Sequence, residues 1–185
     1  WVIFTADHGE MLGDHHMSQK NLFFEGSAHV PLLIMPPQGR SLPQNISVEA
    51  PADLVDLYPT ILAMAGLSSP VSVSGKNLLE PVPMDRMFFG NSLNKNFCVM
   101  EEKVKLVYSA VGDHVLLFDL TTDPMEQHNL AEDPAWQERK AKLWKLLLEH
   151  TAQYTPEALD EKGQFLTYEA PHFPGDVPGR WFGFH

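Results

Sequence analysis

Two continuous apolar runs near the start of the chain predict buried strands. Residues 2–5 are apolar or β-branched without interruption, which is typical of a strand buried on both faces, as in a parallel sheet. A second run covers residues 30–35 and ends at a pair of prolines. Pro31 falls near the start of this run, where a missing backbone donor is tolerated. We therefore expect two strands separated by a polar segment that contains glycine.

A helix is predicted between Asp56 and Gly66. Pro59 is acceptable only in the first turn of a helix, so Asp56 is favoured over Asp53 as the N-cap. Gly66 is a natural C-terminal stop, because glycine readily adopts the left-handed conformation that ends many helices. The following residues, 67–85, are rich in Ser, Pro and Val and are typical of a connecting loop.

From about residue 86 the pattern changes to short strands with close turns. Four apolar segments follow one another, at residues 87–89, 97–100, 104–108 and 115–120. Gly112 and Asp113 lie between the last two segments and predict a hairpin turn. This pattern indicates an antiparallel meander, which differs from the strand and helix pattern that precedes it.

Asp133 and Pro134 predict the start of a longer helix, over about 134–152, with Asp133 as the cap and proline at the first position. One face of this helix carries an apolar stripe that a single lysine interrupts. The residues of this stripe are Trp136, Lys140, Leu143, Trp144, Leu147 and Leu148. We expect that face to cover the meander. The tail from about residue 156 is expected to be irregular and held by three aromatic residues: Trp181, Phe182 and Phe184.

Charge and composition exclude several classes of partner. The 185 residues include 24 acids and 13 bases, for a formal net charge of -11. A nucleic-acid backbone requires a basic surface, so nucleic acid is not expected as the partner. A membrane span needs about 18 consecutive apolar residues, and no apolar run in this chain is that long. The single cysteine, Cys98, excludes an intrachain disulfide.

The densest polar cluster, residues 7–16, follows the first predicted strand directly. Ligands in open α/β sheets bind beyond the carboxyl ends of the strands. Asp7 and His8 together can reach one divalent cation, while Gly9 lets the backbone turn away. The alternative is a solvated turn at the end of a strand. Lys20 could hold an anionic group as a point charge, or could be an ordinary surface lysine.

Five segments, in order, resemble the sulfatase family of the alkaline phosphatase superfamily. The first is TADHGEMLGDHHMSQKNLFFEGSAHVPLLIMP, residues 5–36, which is similar to the second metal-binding segment of that family. The others are DLVDLYPTILAMAG (53–66), SGKNLLEPV (74–82), KLVYS (105–109) and LFDLTTDPMEQHNLAEDP (117–134). Among sulfatases, the chain is similar to bacterial arylsulfatases, choline sulfatases and iduronate-sulfatase-like sequences.

The resemblance implies a fold and a division of the chain. Residues 1–85 are expected to be the C-terminal segment of an alkaline phosphatase-like α/β catalytic domain. Residues 86–185 are expected to form a C-terminal subdomain, in which a small antiparallel sheet packs on the helix over about 134–152. The family resemblance slightly favours a periplasmic or secreted location, with the cytoplasm left open.

The resemblance also implies residue roles. Asp7 and His8 match two metal ligands, and Lys20 matches the lysine that contacts the sulfate group as part of the catalytic site. His15 is expected either to face the substrate pocket or to form hydrogen bonds within its loop. The nucleophile of the family is a formylglycine, expected upstream of this chain. Cys98 lacks the surrounding motif and is expected to be a buried strand thiol.

The implied function is hydrolysis of sulfuric esters, either small-molecule or carbohydrate sulfates. The cation is expected to be calcium, with manganese or zinc as alternatives. The segment LGDHH favours a second hypothesis, a phosphonate monoester or phosphodiester hydrolase of the same superfamily.

A third hypothesis is a truncated, non-catalytic chain. The chain alone is expected to be inactive and either to self-associate or to need a missing N-terminal catalytic segment. The organic group of the substrate and the oligomeric state stay open.

Overall fold

The computed structural model describes residues 1–20, 22–39 and 46–170, which contain six strands and three α-helices. The strands are β1 (Val2–Thr5), β2 (Leu32–Met35), β3 (Phe88–Ser92), β4 (Asn96–Glu101), β5 (Val104–Ser109) and β6 (His114–Asp119). The helices are α1 (Glu25–Ala28), α2 (Leu57–Met64) and α3 (Gln137–Tyr154). None of the described helices is long and apolar enough to cross a bilayer. The tail aromatics Trp181, Phe182 and Phe184 lie outside the described residues.

The chain forms two compact units. The first unit comprises Trp1–Asp7 and Val30–Arg86, and the second comprises His8–His29 and Met87–His185. The chain therefore leaves the first unit after Asp7, contributes residues 8–29 to the second unit, and then returns. The expected catalytic-domain and subdomain ranges, 1–85 and 86–185, stay a prediction.

In the first unit, β1 pairs with β2 in an antiparallel two-stranded sheet. The expected burial on both faces is not found in this structure, and the parallel neighbours expected from an upstream segment stay a prediction. Val2 and Phe4 are 54% and 62% exposed, and they lie opposite Met35 and Leu33, which are also exposed. The continuous apolar run predicted a strand correctly, but it contains no information about the direction of the neighbouring strand.

Asp56 directly precedes α2, as expected, but its side chain forms no cap hydrogen bond with that helix. A 3₁₀ turn begins after Asp53 and continues into α2, so Asp53 is the residue that precedes the helical segment. Asp56 is fully buried. Its carboxylate accepts hydrogen bonds from the Asp53 N–H at 2.8 Å, the Lys76 N–H at 2.7 Å and both terminal nitrogens of Arg86. Burial alone would raise the pKa of Asp56, but these hydrogen bonds and the Arg86 charge lower it, so the pair stays ionised.

The predicted end of this helix is confirmed. Gly66 has a φ of 72°, which a residue with a side chain adopts only at a cost. The Leu67 N–H donates to the Leu62 carbonyl at 2.8 Å across this turn. Residues 67–85, predicted as a connecting loop, contain no helix or strand.

In the second unit the predicted meander is confirmed as a four-stranded antiparallel sheet in the order β3-β4-β5-β6. Gly112 and Asp113 both have positive φ in the turn between β5 and β6. The Asp133 side chain accepts from the Ala135 N–H at 2.9 Å and caps the helical segment that leads into α3. These turn and cap residues therefore set the boundaries of the elements as expected.

Helix α3 covers one face of the sheet. Leu143 and Leu147 of α3 are buried against a core that includes Phe97, Leu106 and Leu117 of the sheet. The expectation of an antiparallel sheet packed on a helix is confirmed. Lys140, the break in the apolar stripe, donates from Nζ to the Ala131 carbonyl at 2.7 Å.

The opposite face of the sheet is covered by residues 8–29. Met11, Leu22 and Phe24 from this segment form a buried cluster with Phe118 of β6. The Phe23 ring lies so close to Gly90 of β3 that a Cβ there would be 2.4 Å from the ring. The segment that contains most of the predicted site residues is therefore fixed on the meander.

Candidate functional site

Three of the predicted site residues, His8, His15 and Lys20, lie on a closed loop at the start of the second unit. We call residues 8–20 the polar loop. The Glu10 carboxylate accepts a hydrogen bond from the Gln19 N–H, and the Met11 N–H donates to the Gln19 carbonyl at 3.0 Å. These contacts join the two ends of the loop. Residues twelve apart in sequence, His8 and Lys20, are consequently brought together.

The structure places the Lys20 Nζ atom in hydrogen-bond contact with the Nε2 atom of His8. The His8 Nδ1 atom lies 2.7 Å from the Gly9 carbonyl oxygen. A carbonyl oxygen can only accept, so this contact requires the proton on Nδ1. Nε2 then carries the lone pair that accepts from the Lys20 ammonium. The same lone pair is the one that a metal ion would use.

Both ends of the polar loop contact one residue, Ser27 of α1, through its backbone and its hydroxyl. The Gly9 N–H donates to the Ser27 carbonyl at 2.8 Å. The buried Ser27 hydroxyl lies 2.9 Å from the Lys20 carbonyl and 2.6 Å from the Leu22 carbonyl. Gly9 lies against the backbone of Gly26. A Cβ added at Gly9 would be 2.1 Å from the Gly26 carbonyl oxygen. Glycine at position 9 is therefore required by this close approach.

His15 lies on the same loop, with its ring against an aromatic side chain. The ring centroids of His15 and Phe24 are 4.1 Å apart, and the rings are inclined by 16°. His15 has a φ of 52°, in the left-handed region that is uncommon for residues with a side chain. The stacking contact takes up one face of the imidazole. A role for His15 in substrate binding stays a prediction.

A buried ion-pair cluster anchors α1 to the sheet. Lys105 of β5 donates from Nζ to the Phe23 carbonyl at 2.9 Å, to Glu126 at 2.9 Å and to Glu25. The side chains of Lys105 and Glu126 are 4% and 2% exposed. Burial alone would lower the pKa of Lys105, but the charge of Glu126 and the neighbouring groups raise it. The lysine therefore stays charged and holds α1 in place beneath the polar loop.

Asp7 is the last residue of the first segment of unit one, and His8 is the first residue of unit two. The two predicted metal ligands are thus consecutive in the chain, and their joint use by a cation stays a prediction. Within the residues that the structure describes, no group of three or more His, Cys, Asp or Glu side chains is arranged to hold a metal ion. A carboxylate and an imidazole are both chemically suited to bind a divalent cation.

Cys98 is buried in β4. Burial raises the pKa of its thiol to about 12, so the thiolate needed for a nucleophile does not form near neutral pH. The prediction of a buried strand thiol is confirmed.

Ser27 and the Lys105 cluster were not identified from the sequence. The signal for Ser27 is weak, because small residues are common in turns. Lys105 gave a stronger signal, since it interrupts an otherwise apolar strand whose neighbours are buried.

Comparison with known proteins decides the family. A family model described as N-sulphoglucosamine sulphohydrolase, C-terminal, matches residues 13–153, which is more than half of the chain. This chain belongs to the sulfatase family. Arylsulfatase K of Xenopus laevis is 34% identical over 151 residues, which cover 71% of this chain and 28% of that protein. The uncharacterized sulfatase YidJ of Escherichia coli (strain K12) is 32% identical over 197 residues, covering 99% of this chain and 37% of the relative.

Solved structures of this superfamily have the same fold. A 2-O GAG sulfatase superposes with a TM-score of 0.70 at 23% identity, over 86% of this chain and 38% of its own. The phosphonate monoester hydrolase of Agrobacterium radiobacter superposes with a TM-score of 0.62 at 32% identity, over 87% of this chain and 38% of its own. The sulfatase chain described here thus spans between about a quarter and two fifths of the length of these relatives.

Proposed function

We propose that these residues are the C-terminal part of a sulfuric ester hydrolase, and that the polar loop forms one side of its sulfate and cation site. The observation that carries this proposal is the contact between Lys20 and His8 on a loop closed by backbone and side-chain hydrogen bonds. Membership of the sulfatase family supports it. The nucleophile, a formylglycine, and the remaining metal ligands would come from the part of a full-length protein that precedes Trp1.

In this proposal Lys20 is the group that holds the sulfuryl oxygens. Its side chain is exposed, so the ammonium can leave His8 Nε2, whose one lone pair the cation would use, and turn to the anion. A lysine ammonium offers three donors and a compact charge. Fixed positive charge that faces oxygens of increasing negative charge stabilises the transition state more than the ground state.

Asp7 and His8 are the residues that would hold the divalent cation. The Nε2 lone pair of His8 and a carboxylate from Asp7 are suitable donors for calcium, manganese or zinc, with calcium the expected ion. When bound, such a cation would supply Lewis-acid charge next to the ester and help to ionise the nucleophile. The hydrogen bond from His8 Nδ1 to the Gly9 carbonyl orients the imidazole for this role.

The substrate that we propose is a carbohydrate sulfate. The name of the matching family model refers to an N-sulphoglucosamine sulphohydrolase, and one neighbour of this fold is a GAG sulfatase. The acidic chain, with a formal charge of -11, needs a local cation and Lys20 to attract an anionic ester. A small aryl sulfate would be hydrolysed by the same chemistry, because the reacting group is identical.

The proposal predicts that the full-length protein hydrolyses 4-nitrophenyl sulfate faster than the matching phenyl phosphonate ester. Initial rates on both esters, with calcium and then manganese, measure this preference. The 185-residue chain alone, assayed in parallel, is expected to turn over neither ester, because its described residues provide only part of the site. A phosphonate rate that greatly exceeds the sulfate rate would replace the sulfatase proposal with a phosphonate hydrolase. Turnover by the 185 residues alone would disprove the missing-segment part of the proposal.

A further inference from the structure

Ser27 has contacts that no other described residue of the site shares. It is 3% exposed and belongs to the single turn of helix α1. Its hydroxyl lies 2.9 Å from the carbonyl of Lys20 and 2.6 Å from that of Leu22, while its own carbonyl accepts the Gly9 N–H at 2.8 Å. One serine therefore holds the backbone at Lys20 and the backbone next to His8.

We propose that Ser27 is a positioning residue that sets the distance between the Lys20 ammonium and the His8 imidazole. This inference rests on the proposed function, since it assigns a role to the same loop. Ser27 reaches the reacting groups only through the backbone of Gly9 and Lys20. It is therefore not expected to touch the substrate.

The position of Ser27 is itself rigid. The N–H of Glu25, two residues before Ser27, donates to the Glu126 carboxylate at 2.7 Å, and the Glu25 side chain is paired with Lys105. The Ser27 N–H donates to the Phe24 carbonyl at 2.9 Å, and Phe24 is part of the buried cluster on the sheet. Ser27 thus connects the polar loop to a segment that is packed on the sheet. Buried, satisfied hydrogen bonds of this kind fix a single conformation.

Loss of the hydroxyl has a defined consequence. Ser27→Ala removes the single hydroxyl proton that the Lys20 and Leu22 carbonyls share, while it leaves the Gly9 contact, which uses the backbone, in place. The Lys20 end of the loop then moves relative to the His8 end. Displacement of a charged group by about 1 Å can reduce turnover on the order of 100-fold. We expect a decrease in kcat of about 10-fold to 100-fold on that basis.

The experiment compares Ser27→Ala and Ser27→Cys with Ser109→Ala in the full-length protein. Cysteine has nearly the volume of serine but is a weak donor, so Ser27→Cys carries the test if the alanine variant does not fold. Ser109 is the matched control, because it is 1% exposed and its hydroxyl bonds only a nearby carbonyl, that of Val111 at 3.3 Å. The Ser27 variants are expected to lose kcat at equal thermal stability, whereas Ser109→Ala retains it.

A second readout separates this inference from the proposed function. The imidazole ¹⁵N resonances of His8 are measured in metal-free protein, where they report the contact of Nε2 with Lys20. We expect them to shift in both Ser27 variants and to stay unchanged in Ser109→Ala. This comparison holds even if the wild-type protein hydrolyses no sulfate ester, which would end only the proposed function. Unchanged His8 resonances in folded Ser27 variants, or equal losses of kcat in Ser27→Ala and Ser109→Ala, would overturn the positioning role.

Discussion

Replacing Lys20 with alanine in the full-length protein is expected to lower kcat for an aryl sulfate by on the order of 10²-fold to 10³-fold. The ammonium contacts His8 at the closed polar loop, and we propose that it holds the sulfuryl oxygens. Its removal leaves developing negative charge without a fixed donor. Steady-state kinetics at saturating metal ion measure the loss. Because Lys20 is exposed, the melting temperature is expected to stay close to that of the wild type.

Two further variants sharpen this result. Lys142 is an exposed lysine that forms an ion pair with Glu101 at 2.6 Å in the same unit, so Lys142→Ala is the matched control and should retain full activity. Lys20→Arg keeps the charge but changes its shape and reach, and we expect it to recover only part of kcat. Wild-type kcat in Lys20→Ala would show that the lysine is an ordinary surface residue.

Lys105→Met is expected to lower the free energy of unfolding by about 3–5 kcal/mol, because it leaves the buried Glu126 carboxylate without its cation. The 2% exposure of that carboxylate prevents water from replacing the lysine. Denaturant unfolding followed by circular dichroism measures the change. The same variant should lower the proposed sulfatase activity of the full-length protein, since Lys105 also holds the Phe23 carbonyl and Glu25 below the polar loop.

Lys142→Ala again provides the comparison, because an exposed ion pair contributes only about 0–1 kcal/mol. The double variant Lys105→Met with Glu126→Leu removes both buried charges. It is expected to recover part of the lost stability, as buried pairs replaced by apolar side chains often do. If Lys105→Met lowered the free energy of unfolding no more than Lys142→Ala does, the buried cluster would not anchor α1 to the sheet.

Local signals in the sequence were sufficient for most of the second unit. Gly112-Asp113 predicted the hairpin turn and Asp133-Pro134 the start of the long helix, since both depend on the conformational preferences of residues at the turn itself. The alternation of apolar residues in β4–β6 places one set against α3 and the other against residues 8–29. The sequence alone could predict the first contact through the helix stripe, but not the second.

The wrong assignments arose where two local patterns fit the same residues. Asp53 and Asp56 are both good helix caps, and Pro59 favoured Asp56 because proline is accepted in the first turn of a helix. The choice was decided by Lys76 and Arg86, whose contacts with Asp56 span 20 and 30 residues. Such distant partners leave no trace in a local pattern.

The same limit applies to the site. His8 was selected because a polar cluster follows a strand, and Lys20 because of the family resemblance; the closed loop brings them together. The residues that support the loop from α1 and the sheet were missed. Lys105 lies 80 residues from Glu25 and 21 from Glu126, and the lone charge in an apolar strand was its only signal. The direction of β2 relative to β1 was also unpredictable, because strand composition does not encode pairing.

The most direct test is a crystal structure of the full-length protein with sulfate and manganese, in which anomalous scattering locates the metal ion. The account predicts a sulfate oxygen about 2.8 Å from the Lys20 ammonium. It also predicts the cation at about 2.1 Å from His8 Nε2, within reach of the Asp7 carboxylate. A bound sulfate and metal ion that both lie away from Lys20 and His8 would contradict the account.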